Sequence, residues 1–227
     1  VFLMFIAPVV IMPLFNKFIP LEEGDLKKAI EDYACSQNFK MKGVFKMDGS
    51  KRSTKSNAFF TGFGKFRRIV LFDTLIERHS IDGLVSVLAH EIGHYKKKHI
   101  FQGMLISIIT TGWMFFILSF FINNQGLFTA FKMQHISIYA SLFFFGFLYT
   151  PINLIMSLLG SALSRKNEYE ADAYAALTYK KPEAMIEALK KLSVDNLSNL
   201  TPHSLKVFFE YSHPPVLDRI RAIKKRI

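Results

Sequence analysis

The sequence predicts a mainly α-helical, polytopic membrane protein whose polar part carries a small β-sheet. Three observations predict it. Residues 100–131 and 133–164 contain no Asp, Glu, Lys or Arg, and each block is about 32 residues long where roughly 20 suffice for a helix to cross a bilayer. Half of the 227 residues are hydrophobic, with 24 Phe and a positive mean hydropathy, and they are gathered in blocks rather than spread as in a soluble domain. The polar segments on either side show helical periodicity interrupted by one stretch of strand-like character.

Taken in order, "VFLMFIAPVVIMPLFN" reads as the end of another span, within residues 1–19. It starts without Met and lacks the basic start and cleavage site of a signal peptide, so the chain reads as part of a longer protein. Residues 20–99 form a first polar unit. Leu26, Ala29, Ile30 and Tyr33 share one face of a helix. The stretch from Gly43 to Phe72 reads as short strands broken at Asp48-Gly49 and at the glycines 62 and 64. A helix from about Asp82 through His99 is expected to run straight on into the first span. Residues 100–164 give two transmembrane helices, the second kinked at Pro151. Residues 165–227 return as polar helices, one opened by Pro182 at its first turn and a last, basic one after Pro214-Pro215.

All but two of the 29 Lys and Arg lie in the two polar units, the exceptions being Lys17 and Lys132. Two spans separate these units, so both lie on one side of the membrane, and their basic excess marks it as cytosolic. The net charge of +11 then reports topology and anionic headgroups. A nucleic-acid partner is not expected, because no zinc-finger spacing or recognition-helix pattern accompanies the charge. On this topology Asn196 and Asn199, glycosylation acceptors by pattern, stay unmodified. The single cysteine, Cys35, forbids an intramolecular disulfide and suits a reducing compartment.

The chemistry begins at "LAHEIGHYKKKHI". His90 and His94 are four residues apart and project from one helical face, where they can share an ion, and Glu91 is rotated by about 100°, within reach of a water at that ion. The bland alternative is an interfacial helix with solvated histidines. His99 is a tempting further ligand, but on a continuous helix nine residues from His90 is about 180° away. It is therefore read as lying at headgroup level beside Lys96, Lys97 and Lys98, outside the site.

A catalytic zinc needs three protein ligands and an open position. The third should come from the segment "RKNEYEADAYA", which offers Glu168, Glu170 and Asp172. Glu168 and Asp172 share a face, while Glu170 is turned away by some 160°. A same-face pair supplies one carboxylate for the ion and one to hold a ligand imidazole by its other nitrogen. Glu168 follows the apolar block by a turn or two, so the ion is expected near the lipid boundary, where an enzyme with a lipid-bearing substrate would need it.

Together "LAHEIGHYKKKH", "LSRKNEYEADAYA", "GSKRSTKSNAFFTGFGKFRRIVLFDTL" and "FEYSHPPVLDRI" resemble the type I CAAX prenyl endopeptidases, integral-membrane zinc proteases of prenylated precursors. The resemblance implies a polytopic helical membrane protein with a gluzincin-like zinc metalloprotease domain containing a small β-sheet. It implies one Zn2+ per chain on His90, His94 and Glu168, with Glu91 as general base and His213 steadying the developing oxyanion. Asp172 and Arg219 would support the site, and Asn57 and Ala58 would lie on the edge that pairs with substrate. The implied partners are prenylated CAAX proteins or peptides and membrane lipid, in the endoplasmic reticulum or inner nuclear membrane with the site toward the cytosol. The rivals are a membrane quality-control protease with the same metal motifs and a scaffold or metal transporter. A transporter would place ionisable groups within the spans, and here the blocks hold none.

Overall fold

The computed structural model describes residues 12–51, 57–61 and 67–226. Most of the expected span within residues 1–19, and the glycines 62 and 64, lie outside them. The described chain is mostly helical with one mixed four-stranded sheet. A single turn, α1 (Met12–Phe15), precedes strand β1 (Phe18–Pro20). Phe18 and Ile19, composed like the end of a span, therefore belong to the sheet. Asp48 Oδ1 accepts from the Lys17 amide at 3.0 Å and Leu21 N donates to Val44 O at 2.9 Å, which fastens this strand at both ends.

Helix α2 (Asp25–Ser36) buries Ile30, Tyr33 and Ala34, the face its periodicity marks. Strands β2 (Gly43–Met47), β3 (Ala58–Thr61) and β4 (Arg68–Phe72) complete the sheet in the order β1-β2-β4-β3. The β2/β4 pair is parallel, with Val44 opposite Ile69, and the two outer pairs are antiparallel. A short helix α3 (Asp73–Arg78) leads to α4 (Ile81–Lys96), capped by Ser80 Oγ accepting from Gly83 N. The inner side of the sheet, α2 and α4 close one core around Ile30, Val44, Ile69, Leu71, Leu84, Leu88 and Ile92. Each such side chain contributes about 1.5–3 kcal/mol by leaving water.

The expected continuous helix from Asp82 into the first span is not formed. Helix α4 stops at Lys96, Lys98 takes a left-handed conformation (φ 58°, ψ 30°), and α5 (His99–Phe121) starts afresh. This resembles a glycine-type helix stop built on a lysine, with the Lys97 amide still bonded to Gly93 O. Helix α5 is about 35 Å long at 1.5 Å per residue, enough for a bilayer core of about 30 Å. A short helix α6 (Gln125–Ala130) follows, its buried Phe128 packed edge-on to Phe144 of the next helix.

Helix α7 (Ile138–Tyr179) runs unbroken through Pro151 for 42 residues, about 63 Å. Its apolar part and α5 expose aromatic and aliphatic residues on most sides, among them Phe101, Trp113, Phe116, Phe143 and Phe147. Both helices are long and apolar enough to cross a membrane. Beyond residue 164, α7 enters the polar core. There it packs against α4, joined by α8 (Pro182–Asp195, opened by Pro182), α9 (Ser204–Glu210) and α10 (Val216–Lys224).

Helices α4 and α7 are antiparallel. Asp82 at the start of α4 accepts from Tyr179 at the end of α7 at 2.7 Å, while Gly93 near the end of α4 lies against Ala171. A Cβ on Gly93 would stand 3.1 Å from the Cα and carbonyl oxygen of Ala171. That neighbour is backbone, which cannot rotate away. Gly93→Ala is therefore expected to push the helices apart and lower stability by about 1–3 kcal/mol. Thermal unfolding checks this, and a parallel metal titration should show weaker binding.

Candidate metal centre

The close contact at Gly93 sets two side chains of α4 against one of α7. His90 Nε2 and His94 Nε2 are 3.1 Å apart. Glu168 Oε2 is 3.5 Å from the first and Glu168 Oε1 is 3.3 Å from the second. These are the three groups that could hold an ion together among the described residues. A tetrahedral ion with bonds of about 2.0–2.1 Å separates its ligand atoms by roughly 3.3–3.4 Å. The three separations bracket that value, each imidazole facing its own oxygen of the one carboxylate.

The proton placement fits as well. His90 Nδ1 lies 2.8 Å from Asp172 Oδ1, so the neutral ring can donate outward to a carboxylate and turn an Nε2 lone pair toward an ion. Burial opposes charging of His90, yet its hydrogen bonds to Asp172 and Glu168 outweigh that and raise its pKa to about 9. The pocket favours positive charge at the point where the ligand atoms meet.

Asp172 is 1% exposed and is gripped by Arg219 of α10 through Nε to Oδ2 at 2.8 Å and Nη2 to Oδ1 at 2.6 Å. The same guanidinium reaches Glu168 Oε2 through Nη1 at 3.3 Å. A planar fork that bonds one carboxylate twice fixes direction as well as distance. His213 Nδ1 is 3.1 Å from Glu168 Oε1, and that bond raises the His213 pKa. Glu91 is half-buried and makes no hydrogen bond or ion pair among the described residues, and burial pushes its carboxyl pKa up. Asn57 and Ala58 stand at the start of β3, an outer strand that among the described residues pairs with β4. Asn57 Oδ1 accepts from the Ala58 amide at 2.9 Å.

The structure thus gathers His90, His94, Glu168, Asp172, His213 and Arg219 into one cluster, and sets Asn57 and Ala58 on a sheet edge. His99 differs from expectation. It is absent from the converging trio, but the premise for leaving it out, one continuous helix, fails at Lys98. The left-handed turn folds His99 back, so that it is 6% exposed with its Nδ1 3.0 Å from His94 Nδ1. Its Nε2 is 3.4 Å from Glu170 Oε2.

Sequence reading also passed over Gly93 and Arg165. Arg165 Nη1 donates to Tyr211 O at 2.6 Å and to Val207 O at 3.3 Å, holding the end of α9 two residues before His213. Its signal in the sequence, the first charge after an apolar block, looks like a boundary marker only.

Comparison with known proteins finds relatives along nearly the whole chain. The family model described as Peptidase family M48 matches residues 20–227. CAAX prenyl protease 1 of Saccharomyces cerevisiae is 39% identical over 97% of this chain and 52% of its own length. The human CAAX prenyl protease 1 homolog is 35% identical over 94% of this chain and 53% of its own. The crystal structure of S. mikatae Ste24p superposes with a TM-score of 0.89 at 38% identity, covering 97% of this chain and 55% of that one. The chain spans about half the length of the curated relatives it matches.

Removing Asp172 should act twice. Asp172→Ala leaves His90 without its outer acceptor and Arg219 as a buried charge with a poorer partner. We expect metal affinity to fall about 10–100-fold and the metal-free protein to lose about 3 kcal/mol. Chelator competition and denaturant unfolding measure the two separately.

Proposed function

The chain belongs to peptidase family M48, and from that premise we propose that it acts as a zinc-dependent membrane endopeptidase. It hydrolyses the peptide bond after the prenylated cysteine of C-terminal CAAX motifs and releases the AAX tripeptide. The observation that carries the reading is the convergence of His90 and His94 on Glu168, the last borne on a helix whose other half is apolar enough to lie in lipid. Relatives named CAAX prenyl protease 1 at 35–39% identity point to the substrate class.

Zinc is the proposed ion because two imidazoles and a carboxylate leave one position open, the donor set of a hydrolytic zinc site. When bound it supplies Lewis acidity, polarising the scissile carbonyl and making water acidic enough to ionise near neutral pH. His90, His94 and Glu168 hold it.

Glu91 is the base. Among the described residues its carboxylate has no hydrogen bond that would stabilise the charged form, and burial makes it a better proton acceptor than an exposed carboxylate. It takes the proton of the attacking water and returns it to the leaving amine. His213, kept cationic more readily by Glu168, offsets the negative charge that gathers on the carbonyl oxygen. Asp172 and Arg219 fix the His90 ring and the Glu168 carboxylate.

The free side of β3, beginning at Asn57 and Ala58, takes an extended substrate as an added strand. An ion a few residues from the apolar part of α7 meets a cysteine whose prenyl chain stays in or beside lipid. The endoplasmic reticulum membrane, with the inner nuclear membrane as a second location, and a cytosol-facing site complete the proposal.

Glu91→Gln should lower turnover by about 10²–10⁴-fold while the metal stays bound. A variant that cleaves at the parent rate removes Glu91 from the role of base. His213→Ala should slow turnover on the order of 100-fold, seen in kcat for a peptide of fixed sequence. A farnesylated CAAX peptide should lose its last three residues where the unmodified peptide does not. Equal cleavage of both would favour a general membrane protease.

A further inference from the structure

We propose that His99 is a positioning residue for the metal centre: its Nδ1 accepts the outer ring proton of His94 and so fixes which nitrogen of His94 faces the ion. The inference rests on the metal-site reading above and extends it to a residue outside the ligand set.

The argument is one of proton placement. His94 Nε2 is the nitrogen that meets His90 Nε2 and Glu168 Oε1, so it must offer a lone pair. The proton of neutral His94 then sits on Nδ1, and a ligating imidazole is normally steadied through that outer N–H. For His90 the acceptor is Asp172. For His94 it is His99 Nδ1, at 3.0 Å.

Two ring nitrogens at that distance can share one proton only if one of them is bare. His99 must therefore carry its own proton on Nε2, which points that N–H at Glu170 Oε2, 3.4 Å away. The proton positions on both rings follow from the single demand that His94 Nε2 be free. Glu170, which helical rotation turns away from the ion, thus contributes at one remove, as the distal acceptor of a His94–His99–Glu170 chain. Lys166 approaches the other Glu170 oxygen at 3.8 Å.

The backbone supports the assignment. His99 reaches His94 because Lys98 adopts a left-handed conformation, which is unfavourable for a residue that bears a side chain. In an antiparallel pair where Gly93 faces Ala171, a straight continuation of α4 would carry residue 99 past the level of Glu168. The turn keeps it level with Glu170, buried at 6% exposure. The competing possibility is that His99 merely fills space there, in which case ring shape matters and the nitrogen does not.

The test uses the intact protein in detergent, stripped of metal and reloaded. Zinc affinity is read by competition with a chromophoric chelator, and ligand geometry by the absorption bands of the Co2+ form. His99→Phe keeps the ring volume and removes the acceptor, so zinc affinity should fall about 10–100-fold and the Co2+ bands should shift. His99→Asn keeps an oxygen close to the place of Nδ1 and should stay within about fivefold of the parent.

Glu170→Gln retains an acceptor and should change affinity little, whereas Glu170→Leu should lose a smaller amount than His99→Phe. Melting of the metal-free variants separates folding from binding, and His99→Leu replaces the Phe arm should that variant fail to fold. Parent-like affinity and Co2+ bands in the acceptor-free variant would overturn the proposal. So would an Asn variant as weak as the Phe one, since shape would then be what counts. A His94→Ala protein that still binds zinc like the parent would instead overturn the metal-site reading itself, a separate failure.

Discussion

How closely α4 and α7 approach decides what this molecule can hold. Glycine at position 93 lets backbone meet backbone at Ala171. Only at that separation do the short side chains of His90 and His94 reach a carboxylate on the opposite helix. The two Nε2 atoms are 3.1 Å apart, and each lies 3.3–3.5 Å from one oxygen of Glu168. A wider separation would carry the carboxylate out of reach of an ion held by both imidazoles. The apolar contacts of Leu84, Leu88 and Ile92 beneath the helix hold α4 in place, so core packing and site geometry are one constraint.

Charge is arranged around that contact with little left over. Glu168 and Asp172 are both almost fully buried, a costly arrangement unless each is paired. Arg219 serves both, bidentate to Asp172 and singly to Glu168, and His90 faces both through its two ring nitrogens. His213 approaches the remaining Glu168 oxygen from the segment after α9, which Arg165 fastens through the Tyr211 carbonyl. Removing any one group strands another, and the cluster responds as a unit.

Local periodicity made much of this legible. The pairing of His90 with His94, and of Glu168 with Asp172, follows from helical rotation and needs no tertiary knowledge. So do the buried face of α2 and the start of α8 at Pro182. What escaped depends on contacts that no window of sequence contains. Phe18 and Ile19 have the composition of a membrane residue and the pairing of a strand. Gly93 reads as a weak point within a helix until Ala171 is seen beside it. Lys98 carries none of the glycine or asparagine character that usually marks a left-handed turn, so the break, and the return of His99 to the site, had no signal. Arg165 looked like a border charge because its acceptors are backbone carbonyls some 40 residues away.

The two ligand-bearing helices are tied to the membrane in different ways, and this shapes the centre. Helix α7 is continuous from its apolar half to Glu168, which follows Ser164, the end of the uncharged block, by four positions, about 6 Å. Any tilt of the apolar half is transmitted to that carboxylate with the stiffness of a helix. Helix α4 is anchored in the polar core instead, and its link to α5 is broken at Lys98. The imidazole pair is therefore referenced to the core and the carboxylate to the lipid-facing rod. Arg219 of α10, touching Glu168 and Asp172 while leaning on His90 Nδ1 at 3.4 Å, locks the two frames together. His99 of α5 crosses back over the break to the histidine pair. Its ring contact with His94, 5.0 Å between centroids at 77°, is where the first apolar helix touches the ligand set, so the centre senses both apolar helices through side chains of defined donor and acceptor roles.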